Sequence, residues 1–274
     1  MRLAVSAKFP LPDVLALLVC AFVNALILCF AYRLSRGLGG KGRRAAALDT
    51  NLVYLAVINL AVVVPGAIGA LRPSYALALS AGASMIGIWR LRRQRPVPPP
   101  RSRRPALEKI VPTGARALSL GWLALFGVLC GHVAVNGLWR FPEEFDGLAY
   151  HIPLIDHWLQ AKSLYAPGAA WWWTSGNAEV VGLWMVAPFS GDFLVTLVNV
   201  PFIILWGRAT FEVAAQVGLS AAWRHLGVLT VLAVHTLFHE AEKAMNDVAV
   251  AACFFAAVAF GFRYYQSRRD FDMI

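Results

Sequence analysis

Charge is what this sequence has least of. Only 15% of its 274 residues are Asp, Glu, Lys or Arg, where a soluble domain carries roughly 25%, and 59% are apolar. An ordinary water-soluble domain is therefore not expected. Cysteine is scarce as well. Cys20, Cys29, Cys130 and Cys253 all lie in apolar runs and form no CxxC pair, so neither a disulfide framework nor a zinc knuckle is expected. A cleavable leader is missing too. The first apolar run is about 19 residues long against roughly 7–15 for a signal core, and no A-x-A site follows it, so it reads as a retained span. No internal repeat is visible. The net charge of +10 comes without a basic face mixed with stacking aromatics, and no nucleic-acid partner is expected. The run Gly37-Leu38-Gly39-Gly40-Lys41-Gly42 matches G-x-G-x-x-G, but no strand precedes it. It reads as a flexible basic turn, not a dinucleotide site.

What is present is a series of apolar runs long enough to cross about 30 Å of hydrocarbon at about 1.5 Å per residue. Seven are expected, near 14–32, 52–71, 75–89, 118–138, 193–206, 226–238 and 248–262. The third, fifth and sixth are short. Several of the ten Trp residues lie at the predicted membrane edges, where an amphipathic ring is favoured. The fold class that follows is all-α, a polytopic transmembrane helix bundle with one long extracytoplasmic loop carrying interfacial helices.

The positive-inside rule then orients the chain. Arg33, Arg36, Lys41, Arg43 and Arg44 follow the first run. Arg90, Arg92, Arg93, Arg95, Arg101, Arg103, Arg104, Lys109 and Arg116 follow the third, and Arg263, Arg268 and Arg269 close the chain. These segments should be cytoplasmic. The stretch 139–192 has Arg140 and Lys162 against Glu143, Glu144, Asp146, Asp156, Glu179 and Asp192, and should lie outside. Alternation through all seven runs puts the N-terminus out and the C-terminus in, as in a multi-pass protein of the cytoplasmic (inner) membrane. Residues 90–104, with Pro96, Pro98, Pro99 and Pro100, read as a stiff basic linker. The organisation is a three-span region at 1–89, a Pro-rich cytoplasmic linker at 90–116, and a four-span core at 117–274 with its outer loop at 139–192.

That loop holds most of the candidate chemistry. Leu148, Ile152, Ile155 and Leu159 recur at helical spacing and form one apolar stripe. Asp146 and Tyr150, four apart, share another face. Asp146 also suits a helix N-cap, the simpler reading on spacing alone. His151, Asp156 and His157 are metal-ligand types. Spacings of five and six do not make a same-face chelate, so a divalent metal is only weakly supported and interfacial histidines are the simpler reading. Trp171-Trp172-Trp173 reads as an aromatic belt before a helix that re-enters the interface, with Asn177 and Glu179 at its start. Asp247 opens the last run, where an acid suits the positive helix end. It lies on the same side as Asp146 and Glu179, and two acids near one interface can activate a hydroxyl or hold a cation. Transporters place ionisable groups near the midplane; acids gathered at one edge argue against transport.

These residues carry a resemblance. Asp146-Gly147-Leu148-Ala149-Tyr150-His151-Ile152-Pro153, His157-Trp158-Leu159-Gln160, Asn177-Ala178-Glu179, Leu183-Trp184, Gly191-Asp192 and Asn246-Asp247-Val248-Ala249 occur in an order that resembles the N-terminal core of GT-C glycosyltransferases. The similar set is the protein-mannosyltransferase and aminoarabinose-transferase type that uses polyprenyl-phosphate sugars. The resemblance spans about 118–264. It implies membrane lipid and a lipid-phosphate sugar donor as partners, with Asp146 as catalytic base. It also implies that Asp247 orients the acceptor or a cation, and that Tyr150, His151, Asn177 and Glu179 stand at the site edge. Such enzymes usually continue for further spans that help bind the lipid carrier, whereas this chain stops at Ile274. A second membrane subunit supplying the missing spans is therefore a further expected partner. A non-catalytic subunit built on the same core is the alternative reading.

Overall fold

A computed structural model describes residues 11–37, 43–93, 113–139, 144–169, 176–189, 191–192 and 194–267. Among the described residues every regular element is helical. The long helices are α1 (Leu11–Gly37), α2 (Arg43–Ala67), α3 (Pro73–Arg93) and α4 (Thr113–Trp139). A π-helical turn, Gly147–His151, leads into α5 (Ile152–Ala161), followed by α6 (Asn177–Val186). A 3₁₀ turn, Val195–Asn199, leads into α7 (Val200–Gln216). Then come α8 (Ala221–Leu232), α9 (His235–Ala241) and α10 (Asp247–Ser267).

Among the described residues, five stretches are long and apolar enough to cross a membrane: Val14–Gly37, Ala47–Ala67, Arg116–Asn136, Val195–Gln216 and Asp247–Gln266. The surface they present supports that use. Leu15, Leu18 and Phe22 on α1, Leu120, Leu123 and Val128 on α4, and Val250 and Phe254 on α10 are all exposed. A surface so apolar suits lipid better than water. The other two expected spans fit in part. α3 has 21 residues, but Ser80, Gly82 and Ser84 dilute its apolar run and Arg90, Arg92 and Arg93 end it. α8 and α9 pass the same test only as a pair, bent by 58°. The proline-rich part of the linker, at 94–112, and the tryptophan run at 171–173 lie outside the described residues.

Long helices that follow one another in the chain alternate in direction. α3 runs parallel to α1: Gly87 lies so close to the Phe30 ring that a side chain there would collide with it, and Gly37 lies opposite Leu91. α2 packs on α1 and α3 and also on α6 and α7, while α10 lies along α7 and α4 along α8. Within the bundle, Asn24 Oδ1 accepts from Tyr54 Oη at 2.6 Å and from Trp184 Nε1 at 3.2 Å, joining α1, α2 and α6 through satisfied polar groups. The bundle has two polar ends. At one, which we call the arginine end, Arg263 of α10 meets Asp49 of α2 and Glu212 of α7. The other, the loop end, gathers the α2–α3 turn, residues 144–169, the start of α6 and the α9–α10 connection. There Ser163 Oγ donates to Gly66 O at 3.2 Å and Leu71 N to Lys162 O at 2.8 Å.

Candidate functional site

The loop-end site begins with how α5 seats on α6. The face α5 buries is His151, Leu154, Ile155 and Trp158, not the expected stripe of Leu148, Ile152, Ile155 and Leu159. Leu148 is 52% exposed, and Ile152 and Leu159 are half-buried. The cause is the π-helical turn. Its i→i+5 bonding inserts an extra residue into the turn, and such bulges recur at functional sites. His151 keeps the α-helical spacing of Leu154, Ile155 and Trp158 and so shares their buried face, whereas Leu148, before the extra residue, is rotated off that period and faces outward.

Glycine lets the two helices close. Trp158 lies over Gly176, where any side chain would collide with the indole, and a Cβ at Gly182 would stand 2.8 Å from Ile155 Cδ1. α6 is buried from Ala178 through Trp184, so it is a core helix and not one lying at an interface. Packing at that density sets Glu179, in the first turn of α6, against the π turn.

There the His151 imidazole, 4% exposed, donates from Nδ1 to Glu179 Oε1. His151 is thus a buried, oriented side chain, not an interfacial histidine reaching for water. His151 Nε2 and Glu179 Oε2 are buried with no hydrogen-bond partner among the described residues. The Tyr150 ring lies against His151, tilted by 45° with ring centroids 4.3 Å apart. Its hydroxyl is held above the ordinary phenol range, first by loss of surrounding water, then by the charge of Asp146 and a hydrogen bond to that carboxylate. The charges of Asp247 and Glu179 raise it further. Three acids from three separate segments therefore act on one hydroxyl.

Asp146 stands at the N-cap position of the π turn but makes no capping hydrogen bond. The cap reading does not describe it; its carboxylate is turned to Tyr150. Asp247 is the exposed first residue of α10, so its place at the positive helix end holds beside its place in this group. Gly147 brings the two segments together: a Cβ there would lie 3.9 Å from Ala244 O. Asn177 is exposed at the start of α6 and is not drawn into the group. Asp156 and His157 are not drawn in either. Asp156 accepts from Gln160 at 2.6 Å and His157 Nδ1 bonds Pro153 O at 2.8 Å, both within α5. No set of three His, Cys, Asp or Glu side chains among the described residues is arranged to hold a metal ion.

Two contributors were not read from the sequence. Glu144 Oε2 is buried without a partner beside Gly147. Asn199 donates to Glu240 O at 3.0 Å and to Lys243 O at 2.8 Å, pinning the connection that delivers Asp247. The signal for Asn199 was present: a lone amide in the apolar run Val195–Asn199, just before Pro201. A buried amide there must find backbone partners. No protein-family model matches the chain, and no curated protein or solved structure is significantly similar to it.

Proposed function

We propose that this chain is a membrane glycosyltransferase with a GT-C-like core over about 118–264. It moves a hexosyl or pentosyl group from a polyprenyl-phosphate donor to an acceptor hydroxyl. In this reading it crosses the cytoplasmic membrane seven times, with α3 and the bent α8–α9 pair as the third and sixth passes. The loop end faces out and the arginine end faces the cytoplasm. The acceptor oxygen attacks the anomeric carbon, the bond from that carbon to the phosphate oxygen breaks, and polyprenyl phosphate leaves. Asp146 takes the acceptor proton. The Tyr150 hydroxyl marks where an acceptor hydroxyl would sit, within hydrogen-bond reach of that carboxylate. Asp247 orients the acceptor, and the Glu179–His151 pair fixes the wall behind Tyr150.

The observation that carries this reading is that Asp146 takes a hydrogen bond from the Tyr150 hydroxyl while Asp247 and Glu179, from two other segments, lie near enough for their charges to raise it further. Capping explains no such arrangement. Acids held at one edge around a hydroxyl suit proton removal, which contributes typically about 10²–10⁴ in rate. The test is sugar transfer by the full chain with whatever copurifies with it, from a panel of polyprenyl-phosphate hexoses and pentoses. Asp146→Asn should lose about 10²–10⁴ in rate with unchanged yield and melting. Wild-type transfer by D146N would overturn the assignment.

A further inference from the structure

α7 carries one exposed cation inside its apolar span, Arg208. It makes no hydrogen bond or ion pair among the described residues. Its guanidinium lies over the Trp122 ring of α4, 5.7 Å from the centroid. Glu212, one turn further on, is taken up by Arg263 at 3.1 Å and Gln216 at 2.8 Å. Around Arg208 the surface is polar and aromatic where lipid would be expected. Ser119 of α4 shares a hydrogen bond of 2.8 Å with His225 of α8, and His225 lies against Phe211 of α7 at 5.0 Å between ring centroids. Ser119 and Trp122 are one turn apart on α4, as Arg208 and Phe211 are on α7. The five side chains form a ring at the junction of α4, α7 and α8.

By helix rise Arg208 lies about 12 Å from the Gln216 end of α7, and Trp122 about 9 Å from the Arg116 end of α4. That is about two helical turns below the headgroup plane, in the half of a hydrocarbon core about 30 Å thick that is nearer the arginine end. An uncompensated cation at that depth is retained where it snorkels or draws polar groups inward. Guanidinium binds phosphate with two parallel hydrogen bonds, and the Trp122 face holds it in place by cation–π attraction. We infer that the α4–α7–α8 junction is a binding site for the phosphate of an anionic membrane lipid, with Arg208 as its ligand and Trp122 as the platform that holds the guanidinium. The site lies at the opposite end of the bundle from Asp146 and does not depend on the proposed transferase activity.

Full-length protein in nanodiscs of phosphatidylcholine and phosphatidylglycerol tests this. Native mass spectrometry would read how many of each lipid stay bound after release. Wild type should retain phosphatidylglycerol about fivefold over phosphatidylcholine, the effect of one basic residue near an anionic surface. Arg208→Gln should bring the ratio near one, while Arg208→Lys keeps part of it as a point charge. Arg92→Gln, which removes an exposed charge of α3 at the same end, should leave the wild-type ratio. An R208Q protein with undiminished preference would overturn the site, as would an equal loss in R92Q. Displacement of the lipid by excess inorganic phosphate would show a free-anion site instead and overturn the lipid assignment.

Discussion

At the arginine end, Arg263 is 9% exposed and bonds Asp49 at 2.5 Å and Glu212 at 3.1 Å. Glu212 also accepts from Gln216. At the loop end, Glu179 is just as deeply buried but bonds, among the described residues, to His151 alone, and Glu179 Oε2, His151 Nε2 and Glu144 Oε2 have no partner among them. Burying a charge is costly unless it is paired and hydrogen-bonded. The first cluster meets that condition with residues from α2, α7 and α10, and so ties the N-terminal helices to the rest of the bundle. The second leaves donors and acceptors open in a group with three acids. A polar cluster closed on itself holds structure; one left open has capacity for a ligand. Removing a charge should therefore damage stability at one end and chemistry at the other.

The comparison breaks most completely if the two ends lie on the same side of a membrane. Gly168, exposed with open space around its Cβ, and Ser220, exposed between α7 and α8, mark the loop end and the arginine end. In a cysteine-free background, Gly168→Cys should react with an impermeant thiol reagent on intact cells, and Ser220→Cys only after permeabilisation. Labelling from the same side would remove the alternating arrangement.

Next is the contrast in stability. Arg263→Met strands Asp49 and Glu212 inside the bundle. Loss of one member of a buried ionic cluster typically costs about 3–5 kcal/mol, to be read by equilibrium unfolding in mixed micelles. Asp49→Asn and Glu212→Gln placed on top of R263M should restore much of that loss. Glu179→Gln, by contrast, keeps shape and hydrogen-bond capacity toward His151. It should unfold within about 1 kcal/mol of wild type, one hydrogen bond's net contribution. Equal destabilisation by R263M and E179Q would erase the distinction between the two ends.

The register of the π turn gives a smaller contrast within the loop end. Ile155, 4% exposed, fills the notch at Gly182, so Ile155→Ala should cost about 2–5 kcal/mol. Leu148 was expected on the same stripe yet faces out, and Leu148→Ala should fall within about 0.5 kcal/mol. Similar losses for both would restore the unbroken α-helical stripe and remove the π turn.

What the sequence made legible follows from solvent. A helix that meets lipid must be apolar on its outer face, so five of the expected runs have lengths and hydropathy that need no tertiary information. α3 was harder to place because it lies against α1, where Ser80 and Ser84 are buried by protein. In the site, Asp146, Tyr150, Glu179 and Asp247 stood out as polar residues at apolar edges. Their convergence on one hydroxyl depends on packing between segments about 30–100 residues apart, through Trp158 over Gly176 and Gly147 beside Ala244. No local pattern encodes that packing. The π turn has no residue signature of its own, so periodic reading kept Leu148 on the buried stripe; and because nothing local shows which face of α5 meets α6, it left His151 at an interface when it belongs to the core.

The smallest expected effect separates Asp146 from the tyrosine that partners it. Tyr150 donates to Asp146 and is held in its neutral form by burial and by the three acids around it. At neutral pH it is therefore a donor and not a base, and its ionisation should be seen by ultraviolet difference titration only above the ordinary phenol range. Tyr150→Phe removes one hydrogen bond and leaves the ring on His151. A hydrogen bond of this kind contributes about 0.5–1.5 kcal/mol, so transfer should fall about two- to tenfold. Asp146→Asn, losing the base itself, should fall at least tenfold further. If Y150F were as damaged as D146N while its melting stayed unchanged, the phenol would be handling the proton. The acids would then serve to tune it, and the base would have to be reassigned from Asp146 to Tyr150.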